Sequence, residues 1–387
     1  MNLCLDCLSL CQLEGTGLYT YNFELINNLL KMYPQIKYDL ILYNKKNIYK
    51  WYWNKNISYS NFIRDGINNE SAMLEELIGN KNIDLYHSLN NGLSMPSKNI
   101  CKTIITVHDL APLSIPIYVD DKYAKNFIGK FPSAIREADK ILAVSEFIKS
   151  ELISSYHDTG IESKIEVVYP GCSMIFRPLY YNQYYPMLYN KFEINGEFLL
   201  CAGSVHKRKN WDLLFELFKN IRSIKPRLKL VLAGKLDGKR EENYNLLKEL
   251  ANKFGIADSV LFLGIVDYLD MPYLYNGALC TFNLSEYEGF PMVCVESIAC
   301  GTPVVCLDTS SFREVLGENA PLIKSGDIKT LIYITLQILN NVNYRKRMVN
   351  KLRQKCAQYK WETAIQKTIS VYEELLNEKE NHPIIGL

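Results

Sequence analysis

No run of apolar residues in this 387-residue chain is long enough to span a bilayer, so no transmembrane helix is expected. No signal peptide is expected either, because no basic leader precedes the first apolar run and Asp6 interrupts it. An excess of one charge is also missing. The formal net charge is +2, which argues against bulk nucleic-acid binding. There is no Gly-x-x-x-x-Gly-Lys-Ser/Thr loop to cradle a phosphate, and no Asp-x-Asp pair to carry a divalent metal onto a diphosphate. Cysteine is plentiful but lacks a framework. The eleven are an odd number, and Cys201, Cys280 and Cys306 fall in apolar, strand-like runs. They read as reduced thiols packed as small core residues, and hence as a cytoplasmic chain. Cys4, Cys7 and Cys11 cluster, but no second Cys/His pair at metal-ligand spacing accompanies them, so core packing is expected there too.

What is present is length and alternation. The chain has material for two cores. Strands are expected at Asn2–Asp6, Tyr38–Tyr43, Ile83–His87, Lys102–His108, Lys140–Val144 and Ile165–Tyr169. Helices are expected after Gly17 and at Glu70–Ile78, and Ser145 reads as the N-cap of a helix over Glu146–Ile153. A second series runs through strand Phe198–Ala202, helix Asp212–Ile224, strand Leu228–Ala233, helix Glu241–Phe254, strand Val260–Leu263, helix Tyr268–Tyr275 and strand Ala278–Phe282. Helices Ile328–Leu339, Tyr344–Gln358 and Glu362–Asn377 follow. Alternating strands and helices imply α/β domains with parallel sheets, whose functional groups gather at strand carboxyl ends. The expected division is 1–175, a linker over 176–195 where periodicity fades, 196–360, and a terminal helical segment 361–387 returning toward the first domain.

The densest chemistry lies between Leu284 and Val305. Glu288 and Glu296 stand eight positions apart, with Gly289 behind the first, and Met292, Val295, Ile298 and Ala299 follow helical spacing from Pro291. The N–H groups and dipole at such a helix start suit an anion. After strand Phe198–Ala202 come Gly203, Ser204, then Lys207, Arg208, Lys209 and Asn210, small residues followed by three cations. Arg forks onto phosphate oxygens, and Lys acts as a point charge. Gly15 and Gly17 form a glycine turn between the first strand and its helix. His108-Asp109 leaves the apolar run Ile104–Val107. A basic and aromatic stretch, Lys45–Trp53, suits either a solvated loop or contact with an anionic membrane.

Glu288-Gly289-Phe290-Pro291, the spacing to Glu296, and Ala299-Cys300-Gly301-Thr302-Pro303-Val304-Val305 resemble the signature of retaining glycosyltransferase family 4. Supporting stretches include Val107-His108-Asp109-Leu110, Val144-Ser145-Glu146-Phe147, Val168-Tyr169-Pro170-Gly171, Arg208-Lys209-Asn210 and Trp361-Glu362. The resemblance implies a GT-B fold, two Rossmann-like domains facing across a cleft. It implies a metal-independent enzyme, without cofactor, moving a hexose from a UDP- or GDP-sugar to a hydroxyl of a growing glycan or lipid-linked acceptor in cell-surface polysaccharide synthesis.

On this resemblance Glu288, Gly289, Phe290 and Pro291 meet the donor sugar, and Glu296 accepts from the ribose. Arg208 and Lys209 hold the diphosphate beside Gly203 and Ser204, Gly15 and Gly17 line the opposite side, and His108 approaches the reacting sugar. Ser204 stands where many members have Arg, and the Gly-Phe-Gly-Leu-Pro run of many members is shortened here to Gly289-Phe290-Pro291. The competing readings are a nucleotide-sugar epimerase or phosphorylase on the same fold, and a non-catalytic subunit of a glycan-assembly complex.

Overall fold

The computed structural model describes residues 1–7, 9–10, 13–42, 56–61, 70–96, 100–157, 160–235 and 241–380, with the side chains of 61, 70 and 378–380 excepted. The chain divides into two compact units. One comprises Met1–Glu14, Leu18–Gly171 and Trp361–Leu387; the other comprises Gly15–Gly17 and Cys172–Lys360.

The first unit is built on seven strands: Asn2–Asp6 (β1), Lys37–Leu42 (β2), Ile57–Asn61 (β3), Leu85–Ser88 (β4), Lys102–Val107 (β5), Lys140–Ala143 (β6) and Ile165–Val167 (β7). They lie in the order β3-β2-β1-β4-β5-β6-β7, and every neighbouring pair is parallel. Central strands read as continuous apolar runs because both faces of a parallel sheet are covered. Leu3, Cys4, Leu5, Ile104 and Ile105 are accordingly fully buried. The Glu146–Ser155 helix starts where its cap places it, with Ile148 N–H donating to Ser145 Oγ at 3.2 Å.

The last helix of the chain, Trp361–Glu380, also belongs to this unit. Tyr372 is buried in it, with its hydroxyl 2.6 Å from His87 Nδ1, while His87 Nε2 lies 2.8 Å from Thr106 Oγ1. Burial, aided by nearby His108, lowers the His87 pKa to about 3, and burial lowers that of His108 to about 4. Both are neutral in the folded protein, whereas an unfolded chain takes up protons as pH falls below about 6.5. Stability from these two groups is therefore full above pH 6.5 and is lost as pH falls, toward 4 for His108 and toward 3 for His87. The expected slope reaches about 1.4 kcal/mol per pH unit for each histidine. Denaturant titrations of the wild type and His87→Gln between pH 7 and 4 check this; equal slopes would contradict it.

The second unit holds Phe198–Ala202 (β8), Lys229–Ala233 (β9), Val260–Gly264 (β10), Cys280–Asn283 (β11), Val304–Leu307 (β12) and Leu322–Ile323 (β13). Their order is β10-β9-β8-β11-β12-β13, again all parallel. The strand order reverses direction beside β8, the kind of switch point at which open α/β sheets bind ligands at strand carboxyl ends.

Segment 176–195, read from the sequence as a linker, is instead mostly helical, over Tyr181–Phe192. Its apolar side, with Tyr184, Leu188 and Phe192, joins a core with Phe198, Leu274 and Tyr275. Gly277 allows this packing, since a Cβ there would lie 2.3 Å from Leu188 Cδ1. Pro186 inside the helix and the run of tyrosines hid its period. The Asp121–Glu137 helix was missed for a related reason, Pro132 in its interior.

Cys4, Cys201, Cys280, Cys294, Cys300, Cys306 and Cys356 are free and buried, as small core residues would be, and Cys7 is buried too. Cys11 and the Lys45–Trp53 stretch lie outside the described residues. Among the described residues no helix is long and apolar enough to cross a membrane.

Candidate active site

The loop after β8 forms the floor of the site. Gly203 has φ +103°, and its N–H donates to Ala233 O at 2.8 Å. The lack of a Cβ admits the Lys209 side chain, since a methyl at Gly203 would lie 3.1 Å from Lys209 Nζ. Sequence reasoning missed the residue that makes this turn feasible, Gly234, at the end of β9. A Cβ on Gly234 would sit 2.0 Å from the Gly203 carbonyl oxygen, so no side chain fits there. Ser204 is buried next in line.

Residues Lys207–Lys209 then make a single 3₁₀ turn, and Asn210, at φ +55°, starts the Trp211–Ile224 helix. The turn aims two cations at one carboxylate. Arg208 Nη1 lies 3.0 Å from Glu288 Oε2, and Lys209 Nζ lies 3.8 Å from Glu288 Oε1. Arg208 also donates to the Tyr287 carbonyl. Lys209 is 6% exposed, and its ammonium donates to Ala202 O at 3.3 Å. A lysine this buried needs such partners.

Three further groups hold Glu288. Ser285 Oγ donates to its Oε1 at 2.7 Å, its own N–H donates to Ser310 Oγ at 2.9 Å, and Ser311 Oγ donates to its carbonyl at 2.7 Å. Burial pushes the Glu288 pKa upward. Arg208 and Lys209, with the Ser285 hydrogen bond, outweigh that and hold it below the usual glutamate value. Glu288 is therefore an anion locked between two cations.

Pro291 precedes the Met292–Ala299 helix. Three N–H groups at its start are already in use. Met292 donates to Phe290 O at 3.0 Å, and Cys294 and Val295 donate to Pro291 O at 2.9 and 3.4 Å. The carbonyls of Phe290 and Pro291 thus satisfy donors of the first turn. Phe290 packs edge-on against Tyr359, with centroids 5.2 Å apart. Glu296, one turn into the helix, is 7% exposed, and its Oε2 accepts from the Tyr275 hydroxyl at 2.8 Å. Tyr275 is a second residue that sequence reasoning missed, because its partner lies 21 positions away on a different helix.

Two predicted groups remain to be placed. His108 is in the first unit, where its Nε2 donates to Leu89 O at 3.0 Å and its N–H donates to Asn91 Oδ1 at 2.7 Å. That assigns the proton to Nε2 and leaves Nδ1 as an acceptor. Tyr21 stacks edge-on against the ring at 4.6 Å. Gly15, at φ +78°, has the Ile265 side chain 3.4 Å from the position of a Cβ, while Gly17 opens the Gly17–Met32 helix with nothing close by. Among the described residues no cluster of three or more His, Cys, Asp or Glu side chains could hold a metal ion.

Comparison with known proteins agrees with this architecture. A family model described as "Glycosyl transferases group 1" matches residues 190–355, and one described as "Glycosyltransferase Family 4" matches residues 55–174. The chain is 26% identical over 292 residues to O-antigen chain mannosyltransferase B of Escherichia coli, covering 74% of each. It is 26% identical over 374 residues to an uncharacterized glycosyltransferase of Methanocaldococcus jannaschii, covering 90% of this chain and 93% of the relative. Among solved structures, sucrose-phosphate synthase from Thermosynechococcus elongatus superposes with a TM-score of 0.78 at 16% identity, covering 98% of this chain and 100% of that one. Anabaena Alr3699/HepE in complex with UDP-glucose gives the same TM-score and identity, covering 97% and 100%. Such low identity speaks for the fold alone. The two family matches, together with two parallel-sheet Rossmann-like domains, make the chain a glycosyltransferase of GT-B fold. It belongs to the group 1 glycosyl transferases, family 4.

Proposed function

We propose that this enzyme is a retaining, metal-independent glycosyltransferase that moves a hexose from a UDP- or GDP-sugar to a hydroxyl of a growing glycan or lipid-linked acceptor, in cell-surface polysaccharide synthesis. The observation that carries the proposal is the placing of buried Lys209 and Arg208 on Glu288 above the bare Gly203 turn. In this reading the two cations take the diphosphate, Glu288 turns to the sugar hydroxyls beside Gly289 and Phe290, and Glu296, steadied by Tyr275, accepts from the ribose. Breaking the anomeric C–O bond builds negative charge on the departing phosphate, and preorganised cations in a buried site stabilise that charge most. The acceptor hydroxyl attacks on the face the diphosphate leaves and gives its proton to a phosphate oxygen. The neutral His108, with Nδ1 as acceptor, takes a hydroxyl of the reacting sugar.

Support for polysaccharide synthesis comes from likeness to an O-antigen chain mannosyltransferase, and for a nucleotide-sugar donor from the UDP-glucose complex of a structural neighbour. A panel including GDP-mannose and UDP-glucose, scored by thermal shift and nucleoside diphosphate release, tests the reading. No stabilisation by any member would reject it.

Because side chains supply the positive charge, transfer is expected to continue in excess EDTA. Loss of activity with rescue by magnesium or manganese would refute the metal-free mechanism. A lipid-linked acceptor places the enzyme at the inner face of a membrane, with Lys45–Trp53 in contact. Separately, the Val342–Cys356 helix carries six Lys or Arg and no acid. Flotation with vesicles containing phosphatidylglycerol, but not with phosphatidylcholine alone, is the expected result; no flotation would retire membrane contact.

A further inference from the structure

Lys209 reaches into the site from a turn only three residues long, so the two residues flanking it decide where it points. Both flanking residues are tied to Glu286. The Glu286 N–H donates to the Arg208 carbonyl at 2.9 Å, and the Asn210 side-chain amide donates to Glu286 Oε1 at 2.7 Å. The same carboxylate oxygen accepts from Ser325 Oγ at 2.7 Å, in the turn after β13. On its other side the turn is held by Trp211 Nε1, which donates to the His206 carbonyl at 2.8 Å. Asn210 adopts φ +55°, a conformation asparagine tolerates better than most residues. Its carbonyl accepts from Leu214 N–H at 3.2 Å, so it also opens the following helix. Two positions beyond Glu286, Glu288 meets both cations.

We infer that Glu286 and Asn210 are positioning residues for the transfer reaction, acting together as a latch that fixes the Arg208–Lys209 turn against the Glu288 loop. This rests on the reading that Arg208 and Lys209 hold the diphosphate. Neither latch residue touches the donor in that reading; each acts through the two cations. The latch joins three strand-end loops, after β8, β11 and β13, through one carboxylate oxygen and one main-chain N–H. A carboxylate suits this junction because it accepts from two donors and offers none. Catalysis by preorganised charge is sensitive to a displacement of about 1 Å, so loss of the latch affects transfer before it affects folding.

The test compares variants of the full chain by turnover per folded enzyme, by affinity for UDP and GDP, and by melting temperature. Glu286→Ala is expected to lower kcat at least tenfold and to weaken nucleoside diphosphate binding. Glu286→Gln, whose amide oxygen still accepts both hydrogen bonds, is expected to stay within threefold of the wild type. Asn210→Asp sets two carboxylates against each other and is expected to lose at least tenfold. The double variant Asn210→Asp/Glu286→Gln restores one donor and one acceptor with their roles exchanged, and turnover is expected to recover to within threefold. Because turnover is counted per folded enzyme, a purely structural role would lower the melting temperature and leave kcat unchanged. The inference falls if Glu286→Ala stays within twofold of the wild type, or if the exchanged pair is no better than Asn210→Asp. Arg208→Ala and Lys209→Ala belong in the same series. If they keep normal transfer, the diphosphate reading itself fails; if they lose transfer while the latch variants do not, the latch alone is wrong.

Discussion

Lys209→Ala is expected to lower donor turnover at least a hundredfold while the second unit stays folded. The ammonium is buried, meets the Ala202 carbonyl at 3.3 Å and Glu288 at 3.8 Å, and lies where Gly203 has no side chain. A charge-assisted contact is worth roughly 1.5–3 kcal/mol in a folded protein. Each ~1.4 kcal/mol of lost transition-state stabilisation is a tenfold loss in rate. The contact alone thus accounts for about tenfold to a hundredfold. Charge growing on the leaving diphosphate adds to that, because the site was built before the charge appeared. Arg208 remains beside Glu288 in the variant, so the buried carboxylate keeps a counter-ion and the fold persists. Lys209→Met keeps the stem packed along Gly203 and should behave alike. Release of nucleoside diphosphate, with a melting curve for each variant, measures the effect, and turnover within fivefold of the wild type would remove Lys209 from the site.

Glu288→Gln separates binding from chemistry. Transfer is expected to drop at least a hundredfold, while affinity for UDP or GDP rises about tenfold, as removing a negative charge a few ångströms from a bound anion is worth on the order of 1 kcal/mol or more at an effective dielectric near 20. The opposite signs follow from one arrangement. Glu288 occupies both cations, held as an anion by Arg208 and Lys209 against the upward push of burial. A diphosphate must compete with it for them, and the neutral amide competes poorly. The same amide loses the charged acceptor that sugar hydroxyls would meet. Calorimetric titration with UDP and GDP, set beside transfer rates, checks both halves. Weaker nucleotide binding together with lost transfer would show that Glu288 supports the cations rather than competing for them.

Much of this site was legible in one dimension because its groups sit at local landmarks. Glu288 precedes a glycine and a helix, and Arg208 and Lys209 follow a strand that ends in Gly203. Strands Asn2–Asp6 and Phe198–Ala202 were legible to the residue, since a buried parallel strand is an unbroken apolar run. The supporting contacts were not legible. Ser310 and Ser311 meet Glu288 across 22 and 23 positions, Asn210 meets Glu286 across 76, and Tyr275 meets Glu296 from another helix. Such pairs arise where a parallel sheet brings loop ends together, and no local pattern records them. Gly234 was hidden likewise, since its need for hydrogen in place of a side chain is imposed by the carbonyl of Gly203 on the next strand.

The seating of the last helix bears on synthesis. Ile365, Thr368, Tyr372 and Leu375 are buried in the first unit, and Tyr372 supplies the partner of His87, itself fully enclosed. A ribosome makes β1 long before this helix, so the first unit is completed only after the whole of Cys172–Lys360 has emerged. The nascent first unit therefore waits with an open groove, while the second can close as soon as its own strands are out. Any chain ending near residue 355, where the group 1 family match ends, would leave that groove open for good. Such fragments should be poorly soluble for want of that one helix.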